Sequence, residues 1–144
     1  MSREQWRDDE GYLDIVRVVL DTIAEVVPNS VQMPELPPAG KLDSLKKPLI
    51  TASDILPATV RVPWGSGMRV GAVGFDVDIF AKNRTTATQL GLHLVRVLPN
   101  RLLQDPESGV VAARIPSDPT VRPWSELVYH RRGFELEVEY HDKG

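Results

Sequence analysis

Residues 68–98 read MRVGAVGFDVDIFAKNRTTATQLGLHLVRVL, and two different periodicities meet inside them. In the first half, Val73, Phe75, Val77 and Ile79 fall on one side of a pleated strand while Asp76 and Asp78 fall on the other, because successive side chains point to opposite faces. This strand has a dry face and a wet one. Beyond Lys82-Asn83-Arg84, the residues Ala87, Leu90, Leu94 and Leu98 recur at steps of three and four, which lines them along one side of a helix. A strand that needs one face covered is thus followed directly by a helix whose apolar stripe can cover it. Asn83, Thr85 and Thr86 are available to cap that helix, Thr86 and Gln89 have capping-box spacing, and Pro99-Asn100 is expected to end it.

Towards the N-terminus, Pro63-Trp64-Gly65-Ser66-Gly67-Met68 reads as a hairpin turn, its glycines permitting positive φ. The other arm of the hairpin is expected in two pieces, residues 49–56 and 59–62, broken by Pro57, which cannot donate a ladder hydrogen bond. Residues 28–48 hold six prolines or glycines without a sustained period and read as a long connection with little regular structure. Before them, Leu13, Val16, Leu20, Ile23 and Val27 mark an amphipathic helix over 12–27, with Asp8, Asp9 and Glu10 upstream near the positive end of its dipole.

Towards the C-terminus, residues 110–115 read as a strand with Val111, Ala113 and Ile115 on one side and Arg114 on the other. A proline-rich corner, residues 116–124, leads to a final strand over about 127–141, in which Phe134, Leu136, Val138 and Tyr140 alternate with Glu135, Glu137, Glu139 and His141. Gly133 behind Arg131-Arg132 suggests a bulge. The expected architecture is α+β: a mostly antiparallel sheet of about four strands with two helices on one face, in the order α-β-β-α-β-β.

The 144 residues fit one domain, 1–144, which buries roughly 68–70% of the surface its unfolded chain exposes. With no cysteine, neither a disulfide framework nor a thiolate zinc site is possible. The first residues lack the pattern of a signal peptide and no apolar run reaches the roughly 18 residues of a membrane span, so a soluble protein is expected. A net charge of −3 gives no overall field that attracts nucleic-acid phosphates.

His93, His130 and His141 show no metal-ligand spacing and read as surface or packing residues. The stretch GSGMRVGAVG lacks the Lys-Ser ending of a phosphate-binding loop, and Ser66 and Ser125 lie outside any nucleophile-elbow motif. No motif supports an enzyme, and no cofactor is implied. The most provocative set is Asp76, Asp78, Glu135, Glu137 and Glu139, since adjacent strands would place all five on one sheet face. Such carboxylates can bind a divalent cation or run acid–base chemistry. The simpler reading is a solvated face partly neutralised by Arg61, Arg114 or Lys82. Trp64 and Trp124, each after a proline, either plug the ends of the core or anchor a partner.

Taken in order, the amphipathic helix, the Pro48-Leu49-Ile50 strand opening, the hairpin return Val73-Gly74-Phe75-Asp76-Val77-Asp78-Ile79-Phe80-Ala81, the following helix, the Arg122-Pro123-Trp124 corner and the alternating last strand resemble the tail-terminator proteins of long-tailed bacteriophages, the lambda-type minor tail family. The resemblance implies a structural virion protein assembled in the host cytoplasm. Its copies would form a ring, typically hexameric, on the head-proximal end of the tail tube, where it stops tube growth, contacts the tube and neck proteins, and lets DNA pass without sequence-specific binding. Ring closure needs a heterologous interface, for which Trp64, Arg122 and Trp124 are candidates, and the five carboxylates become candidates for a channel wall that repels phosphates. A head-completion or neck connector subunit is the nearest alternative; a small carboxylate metal-dependent enzyme is one from another class.

Overall fold

Two long strands form the spine of the sheet. A computed structural model of the chain describes residues 4–37, 46–55, 59–61, 69–122 and 129–142. Within these, β1 is Val31–Met33, β2 Leu49–Asp54, β3 Thr59–Arg61, β4 Arg69–Ala81, β5 Val110–Arg114, β6 Thr120–Val121 and β7 His130–Asp142. The helices are α1, Ile15–Val26, and α2, Arg84–Gln104, with short 3-10 turns at Glu4–Trp6 and Pro106–Ser108. The spine is β4 against β7, antiparallel over all 13 residues, from Arg69 opposite Asp142 to Ala81 opposite His130. One edge of β4 takes β2 and then β3, both antiparallel, and one edge of β7 takes β5 and then β6.

The fold is therefore α+β and mostly antiparallel, as expected, but with seven strands among the described residues. Some of the difference is segmentation: β2 with β3, and β5 with β6, are each one interrupted arm. The rest is β1, which lies in the stretch read as lacking regular structure. It pairs in parallel with β2, Val31 N–H donating to Pro48 O at 2.9 Å. Its three residues are too few to show a period, so only the neighbouring strand reveals it.

Both helices pack on one face. Val73, Phe75, Val77 and Ile79 of β4 and Phe134, Leu136, Val138 and Tyr140 of β7 are all buried there, beneath Val19 and Ile23 of α1 and Leu94, Leu98 and Leu102 of α2. At about 25 cal/mol per Å² of apolar surface, each such side chain contributes roughly 1.5–3 kcal/mol. Trp6, 2% exposed, joins this core and donates its indole N–H to Asp21 Oδ2 at 2.8 Å.

Four local expectations need correction. The first helix begins at Ile15, where Asp14 caps it by accepting from Arg17 N, rather than at residue 12. The second continues through Pro99 to Gln104. The missing Pro99 N–H and its ring cost about 3 kcal/mol in a helix interior, but stopping there would leave Leu102, fully buried, outside the core. Its cap is Asn83, whose Oδ1 accepts from Thr85 N and Thr86 N at 2.8 and 3.3 Å, so the Thr86/Gln89 box is not used. The bulge sits in β5 between Val110 and Ala112, not at Gly133, which pairs regularly with Asp78. That bulge turns Val111 outward, 47% exposed, and leaves Val110 and Ala113 facing the core.

Candidate functional site: the open face of the sheet

The sheet face opposite the helices is where the chain's carboxylates converge. Register fixes this: Asp76 lies directly opposite Glu135, Gly74 opposite Glu137 and Ala72 opposite Glu139. Directly opposed residues share a face, with Cβ atoms about 4.5–5.5 Å apart. Asp76, Asp78, Glu135, Glu137 and Glu139 therefore stand on one surface, as the alternation implied.

Their environments differ sharply. Asp78, 4% exposed, accepts from Arg131 Nε at 3.1 Å and Nη2 at 2.9 Å, and from Arg122 Nη1 at 3.1 Å. Arg122 Nη1 also donates to Asp76 Oδ1. Two guanidiniums thus bind two aspartates in a partly buried network. Burial alone would lower the Arg122 guanidinium. Its hydrogen bonds to Asp76 and Asp78 and the charges of both outweigh that, leaving it above its ordinary value. Gly133 makes the network possible: a Cβ there would overlap the Arg122 guanidinium and Asp78 Oδ1.

Along the same face Glu135, Glu137 and Glu139 are exposed. Arg114 Nε donates to Glu137 Oε2 at 2.6 Å, and this hydrogen bond, with the glutamate's charge, raises the Arg114 guanidinium against a small opposing effect of burial. Glu135 and Glu139 have no cationic partner among the described residues. Among the described side chains, five carboxylates against three guanidiniums leave an excess of two negative charges, concentrated on β7.

The expected neutralisation was right for Arg114, but Arg122 and Arg131 take the place given to Lys82, which instead lies 5.9 Å from the Tyr129 ring centroid. The Arg61 side chain, Trp64 and Trp124 lie outside what is described. Arg122, an interface candidate, pairs within the chain with Asp76 and Asp78. The sequence reading missed Arg131 as a partner of Asp78. Its parity with Gly133 and Glu135 puts it on this face, but only the register brings it beside Asp78.

Chemically, the face offers fixed negative charge and three carboxylates, Asp76, Asp78 and Glu137, already paired with guanidiniums. Among the described residues, no three His, Asp or Glu side chains are grouped to hold a metal ion. His93 and His141 are exposed and His130 is half-buried. No described helix is long and apolar enough to cross a membrane. Neither the family models nor the curated proteins compared with the chain match it.

Proposed function

We propose that this chain is a ring-forming structural subunit of a bacteriophage tail, the terminator that caps the head-proximal end of the tail tube, stops its polymerisation and joins it to the neck while DNA passes through. The observation that carries this reading is the helix–hairpin–helix–strand order and its local wording, which resemble the tail terminators over nearly the whole chain. Two features accord with it. Both helices cover one side of the sheet, leaving the other side to carry Glu135, Glu137 and Glu139. The outer edges of β1 and of β5–β6 carry no further described strand, so neighbouring subunits have backbone to pair with.

In this reading the three glutamates face the channel, where like charge keeps DNA from adhering. Asp76 and Asp78, tied to Arg122 and Arg131, hold the strands that present them. Deletion of the gene from the phage tests the role. A terminator's loss gives tail tubes of uncontrolled, excessive length. Tails of normal length that fail to join heads would reassign the chain to the neck, and unchanged particles would reject both. An assembled ring with the three glutamates on its outer surface would remove the channel assignment.

A further inference from the structure

One end of the β4–β7 spine is rimmed by lysines; the other carries an acidic turn, with Arg69 lying over its Tyr12 ring. Thirteen paired residues at about 3.4 Å each separate those ends by about 40 Å. At one end, where β4 runs into α2 beside the start of β2, is a cavity of about 220 Å³. Phe80 and Tyr129 line it with apolar surface, and Lys46, Lys47 and Lys82 supply its charge. All three lysines are exposed, and no described carboxylate pairs with them. The first amides of α2 are already taken by Asn83, so the positive potential is that of the lysines.

At the other end, residues 8–12 form a tight acidic turn. Asp8 N donates to Tyr12 O at 2.7 Å, Gly11 N to Asp8 O at 2.9 Å, and Asp8 Oδ1 accepts from both Glu10 N and Tyr12 N at 2.9 Å. The turn is anchored at its base, because buried Asp142 at the end of β7 accepts from Leu13 N at 2.7 Å and pairs with Arg7. Its tip stands clear: a Cβ added at Gly11, φ +85°, would meet nothing within 4 Å. Asp9 and Glu10 at that tip are exposed and have no described cationic partner.

We infer that the acidic turn of one copy docks into the lysine-rimmed cavity of the next, giving a head-to-tail contact between identical chains. Charge complementarity selects the occupant, since the chain itself carries the fitting anionic tip. The turn's internal hydrogen bonds hold it in shape before docking, which limits the ordering cost of association. Because the two surfaces differ and lie at opposite ends, an open chain of copies keeps one unmatched surface at each end, so it either closes into a ring or goes on growing as a filament. This deepens the ring reading by naming the residues through which neighbours meet.

The absence of cysteine makes the test clean. Glu10→Cys and Lys82→Cys chains, one thiol each and checked for native circular dichroism, are mixed at high concentration with copper-phenanthroline and dissolved oxygen, which accept the electrons of disulfide formation. The mixed disulfide is expected to exceed either homodisulfide several-fold and to fall several-fold between 0.1 and 1 M salt, as screening predicts. A chain bearing both substitutions is expected to give a ladder of linked oligomers. A mixed disulfide no more abundant than that of a control pairing Asp118→Cys with Lys82→Cys, or homodisulfides alone, would overturn the contact. Rings seen by electron microscopy without this disulfide would overturn the contact alone and leave the ring reading intact. The disulfide in a chain absent from the tail would do the reverse.

Discussion

Replacing Asp78 with asparagine removes the charge at the centre of the network on the open face while keeping the side chain's shape. Three hydrogen bonds to guanidiniums, at 2.9 to 3.1 Å, converge on this carboxylate, whose side chain is 6% exposed. Charge-assisted bonds contribute about 1.5–3 kcal/mol each, but their simple sum overcounts, because they share two donors that keep some water. Breaking a buried pair costs about 3–5 kcal/mol. Arg122 and Arg131 are 21% and 25% exposed and recover part of their hydration, which lowers the expected loss to about 2–4 kcal/mol on that same scale. For a chain of this size that is a fall of roughly 6–12 °C in Tm. Asp76→Asn is the internal control: its side chain is 25% exposed, and the loss expected is about 1 kcal/mol, as for a partly exposed pair. Urea unfolding followed by circular dichroism at neutral pH measures both. Equal costs, or a loss below about 0.5 kcal/mol for Asp78→Asn, would refute the argument that burial concentrates the network's energy on Asp78.

Three further outcomes follow from individual contacts. Gly133→Ala places a Cβ against Arg122 and Asp78 and is expected to cost about 1–3 kcal/mol in urea unfolding, with little further loss when Asp78→Asn is already present. Trp6→Ala empties a buried site and removes one hydrogen bond to Asp21, so a loss of about 3–5 kcal/mol is expected in the same assay. Burial first, and the Asp142 charge second, raise the Tyr140 phenol above its ordinary value, with Arg69 opposing. Tyr140 therefore contributes stability that is complete below pH about 10 and lost as pH rises through the folded value. Urea midpoints at pH 9 and 11 should fall further in the wild type than in Tyr140→Phe.

Alternation is legible where a strand is long and has one wet face. Residues 73–79 and 134–140 therefore announced both their secondary structure and the shared acidic surface, and register then joined them as expected. The helical stripe was legible for the same reason, since Ala87, Leu94 and Leu98 are fully buried and Leu90 is partly so. Elements whose form depends on distant neighbours were not legible. The three residues of β1 exist by pairing with β2, and the last turn of α2 persists beyond Pro99 because Leu102 reaches the core. The candidate site divided in the same way. Its carboxylates could be assigned to a face, but the partners of the aspartates lie 44 to 53 positions away, and no local pattern marks Arg122 and Arg131 as the groups that neutralise them and leave the glutamates of β7 as the acidic remainder. Gly133 misled because glycine in a strand usually marks a bulge, whereas here it makes room for a guanidinium.

The claim that copies of this chain form a ring at the head-proximal end of a tail is tested most directly by locating it in intact particles. Electron microscopy of virions bearing a gold-labelled antibody to the chain is predicted to place label at the junction of tail tube and neck and nowhere else along the tail. Label along the tube, at its distal tip or on the head, with none at that junction, would contradict it.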